Sequence, residues 1–123
     1  MREKLFKLLD NSRSDYFHFP VSACVVADKE YYGVNVETAS PAAGICAERN
    51  AIYSAITNGV NTKDIHEIHV MSKNGVYPCF ICRQAFVDLL NLDTKVFIYD
   101  INGNVKETTV RDLCPSAFSK EDL

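Results

Sequence analysis

Cys46-Ala47-Glu48-Arg49-Asn50-Ala51-Ile52-Tyr53-Ser54-Ala55-Ile56-Thr57-Asn58-Gly59 decides the fold, because it reads as a helix set between strand-like stretches. Ala47, Ala51 and Ala55, with Ile52 and Ile56 beside them, recur at helical spacing and predict a buried stripe, and Asn58-Gly59 supplies the stop. Downstream, Ile65 to Met71 alternates in part and reads as a buried strand closed by Lys73-Asn74-Gly75. Cys79 to Leu90 is helical again, with Ile81, Ala85 and Leu89 beside Phe86 and Leu90 expected to face inward. Pro78 suits a helix start, since its missing donor costs nothing there. Lys95 to Asp100 and Val105 to Thr109 are two more strands around the turn Ile101-Asn102-Gly103-Asn104, and Val110 to Leu113 adds a helical turn.

Upstream, Val21 to Ala27 and Tyr31 to Glu37 are β-rich runs joined by Asp28-Lys29-Glu30, the pattern of an antiparallel hairpin. Leu5, Phe6, Leu8 and Leu9, within residues 2 to 10, give an apolar stripe to a short helix expected to end near Asn11 and Ser12. Strand, helix, strand, helix, strand in the middle calls for right-handed crossovers and parallel pairing, while the hairpin makes the sheet mixed. The expected class is α/β: a three-layer α/β/α sandwich on a mixed five-stranded sheet.

A length of 123 residues suits one domain, 1–123, with its own core. Met1 to Asp10 mixes charges into its apolar positions and lacks the profile of a secretory leader, and no run approaches a membrane span. The expected location is the reducing cytoplasm, with no membrane partner. A net charge of −3 without a block of Lys or Arg disfavours nucleic acid as a partner and favours a small molecule. Five cysteines are an odd number, which argues against a disulfide framework and for metal or catalytic use.

Cys46, Cys79 and Cys82 offer three soft thiolates that can converge on one tetrahedral metal and leave its fourth position open. Glu48, two residues after the first cysteine, diverges from it and can reach towards whatever occupies that position. This pattern matches the general signature of zinc nucleobase deaminases, in which a Glu that is not a ligand shuttles protons. Both cysteine clusters would sit at helix N-termini, where free amides and the helix dipole favour thiolate over thiol. Three thiolates and one Zn2+ leave a surplus negative charge. Arg49, one helical turn after Cys46, could donate to the sulfurs and withdraw some of it, and Arg83 is a second candidate for that task. Against these readings stand blander ones: a helix-capping role for Glu48 and surface ion pairs for the arginines. Asn35 and Glu37 alternate with Val34 and Val36, which is either a solvated strand face or a ligand-facing pair. Cys24 reads as a buried small apolar residue and Cys114 as an incidental thiol.

With those residues in view, the chain resembles the small homotetrameric cytidine deaminases over nearly its whole length. The matching segments are Phe19-Pro20-Val21, Asn35-Val36-Glu37, Gly44 to Arg49, Pro78-Cys79, Cys82-Arg83-Gln84 and the tail from Leu113 to Leu123. The resemblance implies hydrolysis of cytidine and 2′-deoxycytidine to uridine and 2′-deoxyuridine in pyrimidine salvage, with one zinc per subunit on Cys46, Cys79 and Cys82 and Glu48 as shuttle. It further implies that Asn35 and Glu37 hold the ribose 3′-hydroxyl, that Ala47 meets the base through its backbone, and that Phe19 lies against the nucleoside. Phe118 would pack on the ring in a neighbouring subunit's site, so active sites would be shared within a homotetramer. Several positions depart from the family pattern. Ser22, Thr38 and Pro41 stand where Gly, Asn and Tyr are usual, and Tyr77 and Phe80 replace small residues beside the cysteines and bear on the shape of the base pocket. Two other readings compete: a deaminase of another aminated heterocycle, such as an aminopyrimidine antibiotic, and a zinc-stabilised module without chemistry.

Overall fold

A computed structural model describes residues 1–123. Five strands, β1 (Val21–Val26), β2 (Glu30–Val34), β3 (Glu67–Ser72), β4 (Lys95–Tyr99) and β5 (Val105–Thr109), form one sheet in the order β2-β1-β3-β4-β5. Helix α1 (Arg2–Leu8) covers one face, while α2 (Ala47–Thr57), α3 (Phe80–Leu89) and the single turn α4 (Val110–Leu113) cover the other. The period-2 alternation of strand side chains sorts the core between these layers. Ala23 and Val25 of β1 face α2 together with Ile68, Val70, Val96 and Ile98. Cys24 faces the opposite way and packs with Leu5, Met71 and Tyr99 beneath α1. Buried His69 on that face is satisfied by the Tyr99 hydroxyl at 2.8 Å and Glu67 Oε1 at 3.0 Å.

The mixed five-stranded sheet and its helical layers are those expected, but the pairing differs. Only β3 and β4 pair in parallel, across the α3 crossover, and the other neighbours are antiparallel. The α2 crossover carries the chain from β2 to β3, yet β1 occupies the position between them, so these two strands run the same way without touching. Helix α2 lies tightly on the hairpin: a Cβ added to Gly33 would come within 2.6 Å of the Ala47 carbonyl oxygen, so only glycine lets helix and strand approach this closely.

Several boundaries and faces also shift. The N-terminal helix is α-helical only to Leu8 and finishes as a 3-10 turn over Leu9–Asn11, so it stops at the expected Asn11-Ser12 boundary. Strand β2 ends at Val34, because beyond it Val36 leaves the β1 ladder and bonds instead to Ile45 and lies beside Arg13. Pro78 precedes the α3 N-cap instead of opening the helix. The inward stripe of α3 is Cys82, Phe86 and Leu90, whereas Ile81 is exposed. Ile56 of α2 is likewise exposed, while Ala47, Ala51, Ile52 and Ala55 are buried as the spacing predicts. No helix is long and apolar enough to cross a membrane.

Candidate functional site

Cys46 is the N-cap of α2 and Cys79 the N-cap of α3, each in extended backbone and neither spending its side chain on a capping bond. Cys82 lies in the first turn of α3 and is fully buried. The three sulfurs come within 4.8 Å of one another, with Cys46 and Cys79 Sγ 3.7 Å apart. Helix N-termini present unsatisfied amides and positive potential, so two converging termini create a local preference for anionic sulfur. Arg49 strengthens it, donating from Nη2 to Cys46 Sγ at 3.5 Å. Its Nε is buried beside the cluster without an acceptor. The neighbouring Cys82 thiol, then Arg49 and Cys79, draw the Cys46 thiol well below the usual thiol range against the opposing effect of burial. Cys82 is pushed the other way, by sharing its proton with Cys46 and by its own burial.

Glu48 occupies the first turn of α2, only 5 % exposed. Its carboxylate makes no hydrogen bond or salt bridge to another residue, meeting only its own backbone amide. Burial first, and then the charge on Cys46, push its carboxyl up to about 7. A carboxyl poised near neutrality inside a cavity is a candidate proton carrier.

The cysteines and Glu48 stand at one end of a cavity of about 390 Å³. Cys46, Ala47, Glu48, Arg49 and Cys79 line that end, with Val70, Val76, Tyr77 and Ile81 adding apolar wall. Phe19, Asn35 and Glu37 line it from the side of the loop between α1 and β1. Thus Phe19, Asn35, Glu37, Cys46, Ala47, Glu48, Arg49 and Cys79 converge on one space, whereas Cys82 lies behind it and Phe118, Phe80 and Arg83 do not line it. The Phe118 ring is 58 % exposed and lies outside this cavity, while its carbonyl accepts a bond from Gln84 Nε2 at 2.8 Å.

Asn35 and Glu37 are more heavily engaged than their strand spacing suggested. Asn35 Oδ1 accepts from the Ser12 hydroxyl and from the Val21 amide, and its Nδ2 donates to the Phe19 carbonyl. Glu37 accepts from the Ser14 hydroxyl and from the amides of Tyr16 and Phe17, which hold its carboxyl below the usual carboxylate range. Ser12 and Ser14 were not legible as site residues, because serines in a loop indicate only turn chemistry.

Arg83 does not reach the sulfurs. Its Nε donates to the Pro78 carbonyl at 2.7 Å and its Nη1 to the Leu113 carbonyl at 2.8 Å, and its guanidinium lies 4.4 Å from the centre of the Phe80 ring. It braces the metal loop instead of withdrawing charge from it. Phe80 is exposed and does not line the cavity, so of the two departures beside the cysteines only Tyr77 shapes the wall. The Tyr77 ring is held by the Lys106 ammonium 4.2 Å from its centre.

Comparison with known proteins gives concordant matches. A family model described as "Cytidine and deoxycytidylate deaminase zinc-binding region" matches residues 1–99. A cytidine deaminase of Sporosarcina psychrophila is 36% identical over 110 residues, spanning 88% of this chain and 81% of that one. One from Halalkalibacterium halodurans is 40% identical over 93 residues, spanning 74% and 69%. The crystal structure of a cytidine deaminase from Burkholderia pseudomallei superposes with a TM-score of 0.90 at 32% identity, covering 94% of both chains.

Proposed function

The chain belongs to the zinc-dependent cytidine and deoxycytidylate deaminase family, and from that premise we propose that it hydrolyses cytidine and 2′-deoxycytidine to uridine and 2′-deoxyuridine with release of ammonia. The observation that carries this reading is the placement of a buried Glu48, bonded to no other residue, beside three converging cysteine sulfurs at one end of a cavity of about 390 Å³. Relatives named as cytidine deaminases favour it over another heterocycle, and over a module without chemistry.

The residues present fit zinc. Two sulfurs at about 2.3 Å from one tetrahedral ion stand roughly 3.8 Å apart, close to the 3.7 Å between Cys46 and Cys79. A buried donor without an acceptor, Arg49 Nε, also suits a cluster that becomes fully anionic. Cys46, Cys79 and Cys82 hold the ion, and Arg49 offsets their surplus charge from behind. When bound, zinc supplies Lewis acidity that makes a water molecule nucleophilic at neutral pH.

The remaining work falls to the chain's own groups. Glu48 takes a proton from water, passes it to the base ring nitrogen, and later delivers one to the departing amine, so a single carboxyl acts alternately as base and acid. Burial, which raises its carboxyl above the usual carboxylate range, favours keeping the proton on Glu48 between those transfers. Ala47, at the first position of α2, presents its backbone to the base, and Phe19 lies against the nucleoside. Asn35 and Glu37 orient the sugar through its 3′-hydroxyl.

The exposed Phe118, unused by its own cavity, supports a homotetramer in which the tail of one subunit completes the site of another. We place the protein in cytoplasmic pyrimidine salvage. The direct test is to load the purified protein with zinc, add cytidine, and follow the fall in the cytosine absorbance band together with ammonia release. Turnover dependent on zinc is expected, and full metal occupancy without turnover refutes the reading.

A further inference from the structure

Between α1 and β1 the chain folds into a loop whose polar bonds gather on Ser14, a residue only 9 % exposed. Its hydroxyl donates to Glu37 Oε2 at 2.6 Å and accepts the Phe19 amide at 2.7 Å, while its carbonyl accepts the His18 amide at 3.0 Å. The chain reverses at His18, which adopts a positive φ of 52°, and this turn delivers Phe19 to the cavity. Glu37 makes no salt bridge, so hydrogen bonds alone set the orientation of its carboxylate. Its Oε1 is occupied by the amides of Tyr16 and Phe17, whereas Oε2 receives only Ser14. A carboxylate oxygen has two lone pairs, so Oε2 retains one for a ligand hydroxyl.

We propose that Ser14 is a positioning residue for the substrate: through one hydroxyl it fixes the direction of the free Glu37 lone pair and the depth to which Phe19 enters the cavity. The sugar-holding and ring-facing walls are thereby set as one piece. The inference rests on the reading of Glu37 as partner of the nucleoside 3′-hydroxyl, and adds to it a residue that touches neither the metal nor the reacting ring. Removing the hydroxyl leaves the Phe19 amide without its acceptor and frees Oε2 to turn. The consequence falls on binding, because the proton chemistry is carried by Glu48 from the other end of the cavity.

The experiment measures KM and kcat for cytidine and for 3′-deoxycytidine with wild type, Ser14→Ala and Ser14→Thr, alongside zinc content and thermal midpoint. For Ser14→Ala we expect KM for cytidine to rise about tenfold, the equivalent of losing one hydrogen bond to a charged group, with kcat and zinc content little changed. The preference for cytidine over 3′-deoxycytidine should collapse in that variant, and Ser14→Thr, which restores a hydroxyl, should recover it. If wild type discriminates the two nucleosides and Ser14→Ala discriminates equally well, Ser14 does not act through Glu37 and the inference fails alone. If wild type turns over both equally, the assignment of Glu37 fails and the inference falls with it. A fall in kcat with KM unchanged likewise overturns it, and Ser14→Thr, which keeps the hydroxyl, separates such effects from simple misfolding.

Discussion

The two ends of the cavity are built by opposite means. At the cysteine end, the N-termini of α2 and α3 supply every important group, so position follows from helix geometry and the sheet that carries the helices. At the other end, Asn35 and Glu37 lie beyond the last residue of β2 and are fixed by side-chain bonds to residues 14 to 23 positions earlier in the chain. The first end suits a metal, which needs ligands placed to within tenths of an ångström. The second suits a ligand held by hydrogen bonds, whose partners a loop fixes through its own polar bonds. The difference teaches that metal chemistry and hydrogen-bonded recognition can share one cavity when each draws on a different kind of backbone.

Substitutions at the cysteine end should therefore act on chemistry and metal, and leave recognition intact. The largest expected effect is that of Glu48→Gln. It keeps the shape of the first turn of α2 but cannot carry a proton, so kcat should fall by about 10²- to 10⁴-fold while zinc content and affinity for a product-like nucleoside stay near wild type. Metal analysis and nucleoside binding by calorimetry check the contrast, and a variant that loses zinc as well would show that the two roles are not separable. Arg49→Gln should act next most strongly. Outer partners of metal ligands typically contribute about 10- to 100-fold to affinity or activity, so zinc should be lost to a competing chelator at correspondingly lower chelator concentration. An unchanged chelator titration would show that the 3.5 Å contact to Cys46 Sγ carries no weight.

Legibility in sequence follows the same division. The cysteines, Glu48 and Arg49 could be read because their spacing is a property of helix starts, and a helix imposes its geometry locally. Ser12 and Ser14 could not, since nothing in a loop sequence says that its hydroxyls will meet the Asn35 amide oxygen and the Glu37 carboxylate 23 positions later. Ile81 was misplaced for a related reason. Ile81-Ala85-Leu89 and Cys82-Phe86-Leu90 are equally periodic stripes, and only the packing of α3 against the sheet selects the second, with its buried metal-ligand cysteine. The parallel pairing expected after α2 failed because the hairpin strand β1 pairs on both its edges, with β2 and with β3, and so fills the place between them.

The Glu37 end offers the smallest but most specific test, one of stability instead of rate. The Ser14 hydroxyl, then the Phe17 and Tyr16 amides, favour the ionised Glu37 and hold its folded-state pKa below the unfolded value of about 4.3. A carboxyl depressed in this way contributes stability that is fully present above the unfolded pKa and is lost as the pH falls through the folded one. Glu37→Gln removes the titration, so unfolding midpoints of wild type and variant should lie furthest apart above about pH 4.3 and converge as the pH falls below the folded value. The gap will be modest, because the carboxylate is partly open to solvent, where such interactions are screened. A constant offset between the two curves from neutral to acid pH would mean that the loop is held by its backbone turn alone, and that Glu37 is free to bind ligand without first holding Tyr16 and Phe17 in place.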